Sequence, residues 1–411
     1  MTDDLGLFRD TVDDMEQPSS TTRTGRTGGR RERRQALERR RRRIVLATIV
    51  VVLVLAVGGV LFGMRQLEAL RKTPDFAGAG GAAAVVQVED GQSLSAIGAA
   101  LVRRNVVASV RAFTQAAEAD PRARAVQPGY YQLREQMSGS AAVARLQEPA
   151  ARVGQLEIRG GTQLDDVSLP DGKTVPGLLT EISRASCAVT GGTSTCVSAG
   201  ELRTAMSQTD LAQLALPSWA ADALSRVEPQ RRLEGLLVPG DYDVRPGSSA
   251  GELLRQVTGA SVARLLAAGF PASAAGAGYS PYEILVIASV IEREAITPDF
   301  GRVSRVIYNR LAAGMPLQMD STINYPLDLQ QVRTSDADRA RPGLYNTYLN
   351  IGLPVSPIGS PGAAAISAAL NPEPGGWRYF VKCQRDGTSC FSVTIEEHGT
   401  AVRDAAGRGV F

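Results

Sequence analysis

The sequence predicts an α+β protein: a single transmembrane helix followed by a large mixed body of short strands and helices. Three observations carry that expectation. Residues 44–64 form an apolar stretch of 21 residues without one charge. Beyond it, short alternating runs such as Val86-Gln87-Val88 are interleaved with segments of helical period. All four cysteines lie after the apolar stretch, where two of them flank Gly191-Gly192 and two flank Asp386-Gly387.

Composition allows more than one domain. The chain has 411 residues, 44% hydrophobic and 21% charged, with a formal net charge of +3. That small charge conceals an asymmetry. Between Arg23 and Arg43 eleven Arg stand against Glu32 and Glu38, so the rest of the chain is net acidic. Residues 1–43 lack hydrophobic periodicity and read as a disordered basic tail.

Residues 44–64 are long enough as a helix to cross a bilayer core of about 30 Å. A cleaved signal peptide has a shorter apolar region close to the N-terminus and a small-residue cleavage site; here 43 residues precede the stretch. The expectation is therefore an uncleaved single-pass anchor in the cell membrane. Basic flanks stay cytoplasmic, so Arg39 to Arg43 place the N-terminus inside and the region after Met64 outside. The same arginines suit anionic headgroups of the cytoplasmic membrane. Their position marks topology, and no nucleic-acid partner is expected.

Residues 65–85 read as a Gly/Ala-rich linker, with AGAGGAAA at 77–84. Residues 86–152 read as a small α+β module. Val86-Gln87-Val88 is a strand, Ser93 caps a helix carrying Ile97 and Leu101, and a second helix precedes Pro121. Pro128-Gly129 turns into a strand through Tyr131 and Leu133, and 138–146 is helical. From 153 onward short strands and helices alternate, with the densest signals between 280 and 400.

The cysteines fit an oxidising exterior. Gly191-Gly192 and Asp386-Gly387 favour two-residue hairpin turns, which predicts disulfides Cys187–Cys196 and Cys383–Cys390 across paired strands. A four-thiolate zinc site is the rival, but it normally needs closer pairs such as Cys-x-x-Cys. No metal-ligand cluster is visible, and no metal or cofactor is expected. His398, the one histidine, reads as structural.

Ser280-Pro281-Tyr282-Glu283 is a helix start, with Ser280 as N-cap, Pro281 in the first turn and Glu283 closing a capping box. The helix that follows is apolar nearly all round and ends Glu292-Arg293-Glu294, so it should be buried. A carboxyl at such an end is partly desolvated, which raises its pKa and lets it serve as a general acid. The bland alternative is that Glu292 and Glu294 end a helix and pair with Arg293, Arg302 or Arg305. An amphipathic helix with Val303, Ile307 and Leu311 follows, then the polar groups Gln318, Asp320, Ser321, Thr322, Tyr345, Asn346, Thr347 and Tyr348. Amides, hydroxyls and aromatic rings suit a sugar-binding groove, although each also suits a turn.

At these residues the chain resembles the endolytic murein transglycosylase family, also called MltG or YceG-like. The matching runs are Ile287 to Glu294, Asn309-Arg310-Leu311, Gly314 to Thr322, Tyr345 to Tyr348, and Gly352-Leu353-Pro354 with Pro357-Ile358 and Pro361-Gly362. Weaker likeness reaches back to about Val86 and includes Glu234-Gly235 and Pro239. Three places depart from the family's pattern: Ser321 stands where Pro is usual, Ser389-Cys390-Phe391 where a His precedes Phe, and Gly240-Asp241 in place of an acid–threonine pair.

The resemblance implies that 86–152 is LysM-like and 153–411 is a lysozyme-like, YceG-like catalytic domain with its core at 280–400. It implies a lyase that cuts nascent peptidoglycan glycan strands internally, in company with peptidoglycan synthases and other wall-synthesis proteins. Glu294 would be the catalytic acid and Glu292 its supporting neighbour. Gln318, Asp320, Thr322, Tyr345, Asn346 and Thr347 would line the glycan groove. Two other readings remain open: a hydrolase using a second carboxylate such as Asp320 or Glu292, and a non-catalytic glycan-binding scaffold.

Overall fold

The computed structural model describes Arg42 and residues 45–64, 73–328 and 334–410. The expected tail, Arg42 apart, lies outside the described residues, as do Ile44 and 65–72 of the expected linker. Helix α1 (Val45–Met64) has 20 residues and a mean hydropathy of 3.0. Its large apolar side chains, such as Leu55 and Phe62, are exposed. It is a unit apart from the folded body that begins at Thr73.

The body opens with a three-stranded antiparallel sheet. β1 (Ala83–Val88) alternates inward Ala84, Val86 and Val88 with more open positions. It carries α2 (Leu94–Arg103) and α3 (Val110–Ala119), then pairs with β2 (Gly129–Arg134). α4 (Gly139–Leu146) leads to β3 (Arg152–Val153), which pairs with β2. Each helix starts at a serine whose Oγ accepts a backbone N–H: Ser93 from Ala96, Ser109 from Ala112 and Ser138 from Ala141. Such caps contribute about 1 kcal/mol each. Val86, Leu101, Phe113, Leu133 and Val143 form the module's own core.

The described part of the expected linker is not loose. Gly139 N–H donates to Asp75 Oδ1 at 2.9 Å, Ser138 N–H to Gly78 O at 2.9 Å, and Gly81 N–H to Glu135 O at 2.8 Å. A Cβ at Gly80 would lie 2.5 Å from the Glu135 carbonyl oxygen. The small residues that read as freedom in the sequence instead let this segment lie flat along the β2–α4 turn.

From β4 (Gln155–Ile158) the chain runs through β5 (Val167–Ser168), β6 (Thr174–Val175), α5 (Leu178–Ala185), β7 (Val189–Thr190), β8 (Thr193–Ser194), α6 (Ala199–Gln208) and α7 (Ala221–Leu224). It reaches β9 (Gly240–Asp243), which returns to pair antiparallel with β4. α8 (Ala250–Ala267) follows. Leu156, Ile182, Leu202, Leu237 and Leu254 build a second core here.

The third core surrounds α9 (Pro281–Glu294). α10 (Phe300–Ala312), α11 (Asp320–Asn324), α12 (Asp336–Arg339), α13 (Ala363–Leu370), the β10 (Tyr379–Lys382)–β11 (Ser389–Ser392) hairpin and α14 (Ile395–Gly407) complete the chain. The described part of residues 153–411, expected as one domain, thus holds two separate buried clusters.

Both expected disulfides are present. Cys187 and Cys196 lie 4.1 Å apart at Cα, and Val189↔Ser194 pairing leaves Gly191-Gly192 as the two-residue turn. Cys383 and Cys390 lie 5.6 Å apart at Cα, but symmetry about Asp386-Gly387 misplaces the register. Cys390 faces Val381, two residues from Cys383, and the disulfide runs diagonally. The cause is a four-residue loop from Gln384 to Gly387. It is closed by Gly387 N–H to Gln384 O at 3.1 Å and by Thr388 N–H to Asp386 Oδ1 at 2.9 Å.

Candidate active site

α9 is the frame of the site. Ser280 Oγ accepts from Glu283 N–H, and Glu283 Oε2 accepts from Ser280 N–H at 2.8 Å, so the expected capping box is in place. From Ile284 to Ile291 every side chain is buried. Full burial of a Val, Leu or Ile contributes about 1.5–3 kcal/mol, so these residues fix the helix, and with it the position of its last residue, Glu294.

Glu294 is partly open to solvent and touches α11. Ser321 N–H donates to Glu294 Oε1 at 3.0 Å. Burial pushes the Glu294 carboxyl above the usual carboxylate range; the Ser321 contact and the charge of Lys382 draw it back, while neighbouring Asp320 adds to the push. A carboxyl in this setting can carry a proton at the start of a reaction and stabilise the carboxylate once the proton has left.

Asp320 opens α11 beside it. Asp320 Oδ1 accepts from Tyr348 OH at 2.6 Å and from Thr334 Oγ1 at 2.7 Å, and Arg339 Nε stands 4.0 Å away. The carboxylate is thereby held in place, and burial together with the bond to Asp320 drives the Tyr348 phenol pKa well up. Gln318, two residues earlier, is exposed with a left-handed φ of 52°, and its N–H donates to Thr347 O at 3.0 Å. The structure therefore brings Gln318, Asp320 and Glu294 to one open region.

Four other expected groove residues are elsewhere. Thr322, Tyr345, Asn346 and Thr347 are 0–6% exposed, and their polar atoms are occupied within the fold. Thr347 Oγ1 takes Met319 N–H at 3.0 Å and meets Thr322 Oγ1 at 2.8 Å. Tyr345 OH meets Ser356 Oγ at 2.7 Å. Asn346 Nδ2 donates to Arg339 O and Arg341 O while its Oδ1 accepts from Tyr348 N–H. Their side-chain polar atoms brace the loops behind Asp320 and Gln318, and Thr322, Tyr345 and Asn346 also line a cavity of about 260 Å³ together with Glu228 and Arg231.

Glu292 also points away from Glu294. Its Oε2 accepts Gly362 N–H at 2.9 Å, and burial raises its pKa. The sequence reading gave no role to Lys382 or Arg310, and it named Tyr348 only as part of a polar run suited to a sugar-binding groove. Arg310 is buried on α10, and its guanidinium donates to Arg378 O at 2.6 Å, Leu317 O at 2.6 Å and Gln318 Oε1 at 3.3 Å. It joins the start of β10 to the Gln318 loop. Arg310 offered a weak signal, a basic residue on the apolar face of a helix; Lys382 offered none. Asp299, also buried, ties the far strand down by accepting Ser389 N–H at 2.7 Å.

A cavity of about 520 Å³ lies well away from these groups, lined by apolar residues between Pro271 and Pro281. It contains no carboxylate and none of the expected site residues.

The YceG-like family model matches residues 86–404. An endolytic murein transglycosylase of Bacillus subtilis is 27% identical over 353 residues, covering 84% of this chain and 90% of that protein. Another, from Streptococcus pneumoniae, is 29% identical over 181 residues, covering 42% of this chain and 32% of that protein. The crystal structure of a YceG-like protein from Listeria monocytogenes matches with a TM-score of 0.50 at 25% identity, covering 77% of this chain and 98% of the other.

Proposed function

The chain belongs to the YceG-like family, and from that premise we propose that it is a membrane-anchored lytic transglycosylase that cuts nascent peptidoglycan strands internally. The observation that carries the reading is Glu294: a carboxyl of raised pKa at the end of a buried helix, open on one side and gripped by one backbone N–H.

In the proposed reaction, protonated Glu294 donates to the glycosidic oxygen between N-acetylmuramic acid and N-acetylglucosamine. The C1–O bond breaks and leaves an oxocarbenium-like muramic centre. The Glu294 carboxylate then takes the proton of the muramic 6-hydroxyl, whose oxygen bonds to C1. Glu294 ends protonated and no water is consumed. Gln318 and Asp320 are the residues assigned to the sugar. Within this reading, 86–152 is a LysM-like module and 153–411 the lysozyme-like catalytic domain.

Mass spectrometry of product ends tests the chemistry. A 1,6-anhydro muramic end is expected, lighter by the mass of one water (about 18 Da) than the end left by the two-carboxylate hydrolytic scheme. A water-added reducing end would make the protein a hydrolase using a second carboxylate such as Asp320 or Glu292, and uncut strands would make it a scaffold.

The anchor is α1, with the N-terminus in the cytoplasm and the body outside, as the arginines before it imply. Protease added to intact spheroplasts should degrade the body and spare the N-terminal tail. Protection of the whole chain would overturn this topology.

A further inference from the structure

Glu234 is a fully buried carboxyl that the reaction above does not use. It lies between α7 and β9, in a segment tightly fitted to its surroundings. The next residue, Gly235, has a φ of 71°, and a Cβ there would lie 2.2 Å from Pro357 Cβ. Glu234 Oε2 accepts from Leu164 N–H at 3.1 Å and from Tyr325 OH at 2.9 Å. Its Oε1 has no hydrogen-bond partner among the described residues.

Packing alone gives no reason for a carboxyl here. Burying one with an unpaired oxygen costs free energy that a leucine of similar size would not. Burial carries its pKa up to about 7. The groups that feel it are Arg203, Arg231, Arg293 and the phenols of Tyr282, Tyr325 and Tyr345.

Its partner Tyr325 immediately follows α11. That ring is fully buried, 4.8 Å from the Tyr345 ring, with the Arg231 guanidinium 4.7 Å over its face. The ring so held presents its hydroxyl in one direction, toward Glu234. Four residues before it, at the other end of the same short helix, Ser321 N–H holds Glu294.

We propose that Glu234 is a positioning residue for strand cleavage: through Tyr325 it fixes α11 at the height where Ser321 meets Glu294. The inference rests on the assignment of Glu294 as the acid. Small misplacements of a reacting group cost up to about 100-fold in rate, so an anchor of this kind should be visible in turnover.

The test uses the full-length protein in detergent and purified glycan strands, reading kcat, KM and the pH profile. Tyr325→Phe, which deletes only the hydroxyl, should lower kcat roughly 10–100-fold with KM unchanged. It should also move the alkaline limb to higher pH. Slackening the Ser321 contact removes an interaction that favours the Glu294 carboxylate, so the Glu294 pKa rises. Glu234→Leu should match it, and the double variant should be no slower than either single one. Glu234→Gln keeps an acceptor oxygen and should retain most of the turnover. If Glu234→Leu does not fold, Tyr325→Phe and Glu234→Gln still decide.

Wild-type kcat and an unmoved limb in Tyr325→Phe would overturn the proposal, as would losses that multiply in the double variant. A lowered melting temperature with unchanged kcat would make the contact purely structural and would overturn it too. Full turnover in Glu294→Gln would instead remove the assignment of the acid, and the two failures are thereby told apart.

Discussion

Glu294→Gln should reduce strand cleavage by about 10²–10⁴-fold or more, because general acid–base catalysis contributes that much and one group here serves both proton transfers. The amide keeps the shape and can still accept Ser321 N–H, so fold and strand binding should persist. Glu292→Gln should change turnover far less, since its amide oxygen can still accept Gly362 N–H. The pH profile should agree. The reaction starts from protonated Glu294, whose pKa burial raises. Activity is then full below that pKa and falls as pH rises through it, at a pH above the ordinary glutamate range. Full activity in Glu294→Gln with loss in Glu292→Gln would reverse the two roles.

Arg310→Met should cause the largest loss of stability among single changes near the site. It strands the carbonyls of Arg378 and Leu317 and frees the exposed Gln318 side chain to solvent. Buried acceptors left unpaired cost about 1–3 kcal/mol each, and bonds from a charged donor are the stronger ones; about 3–5 kcal/mol is expected. Urea unfolding of the variant measures it, and a loss under about 1 kcal/mol would show that water replaces the guanidinium. Arg310→Lys should recover only part, because one ammonium cannot serve acceptors that the planar guanidinium reaches in two directions. Turnover should fall as well, since both the Gln318 loop and the start of β10 lose their common tie.

Much of this was legible in the residues. The capping box at Ser280 and Glu283, the apolar run after it and the exposed end at Glu294 are local patterns, and local patterns determined α9. Cysteine symmetry gave the right partners, but it could not give the register of β10 and β11, because a disulfide can join diagonal as well as directly opposed positions, and the loop from Gln384 to Gly387 is centred one residue before the midpoint of the two cysteines. The groove was the weakest part of the reading. Thr322, Tyr345, Asn346 and Thr347 are polar, and polarity in a sequence looks alike whether an atom faces solvent or a buried carbonyl. Gln318 and Asp320 share that polarity and differ only in exposure, which depends on contacts 29 residues away at Thr347 and 28 residues away at Tyr348. Glu234 passed as unremarkable because nothing near it in sequence announces Tyr325, 91 residues on.

Glu292 and Glu294 are two residues apart on one helix, so their side chains leave it about 200° apart. One is clasped by Gly362 and the other by Ser321. The same letter written twice therefore holds two unlike offices, an anchor for a loop and an acid at an opening. An alignment that slips by two positions here would still match glutamate to glutamate at one column and would give one carboxyl the role of the other. Transferring a role between distant relatives at this motif requires the neighbour each carboxyl touches to be identified first.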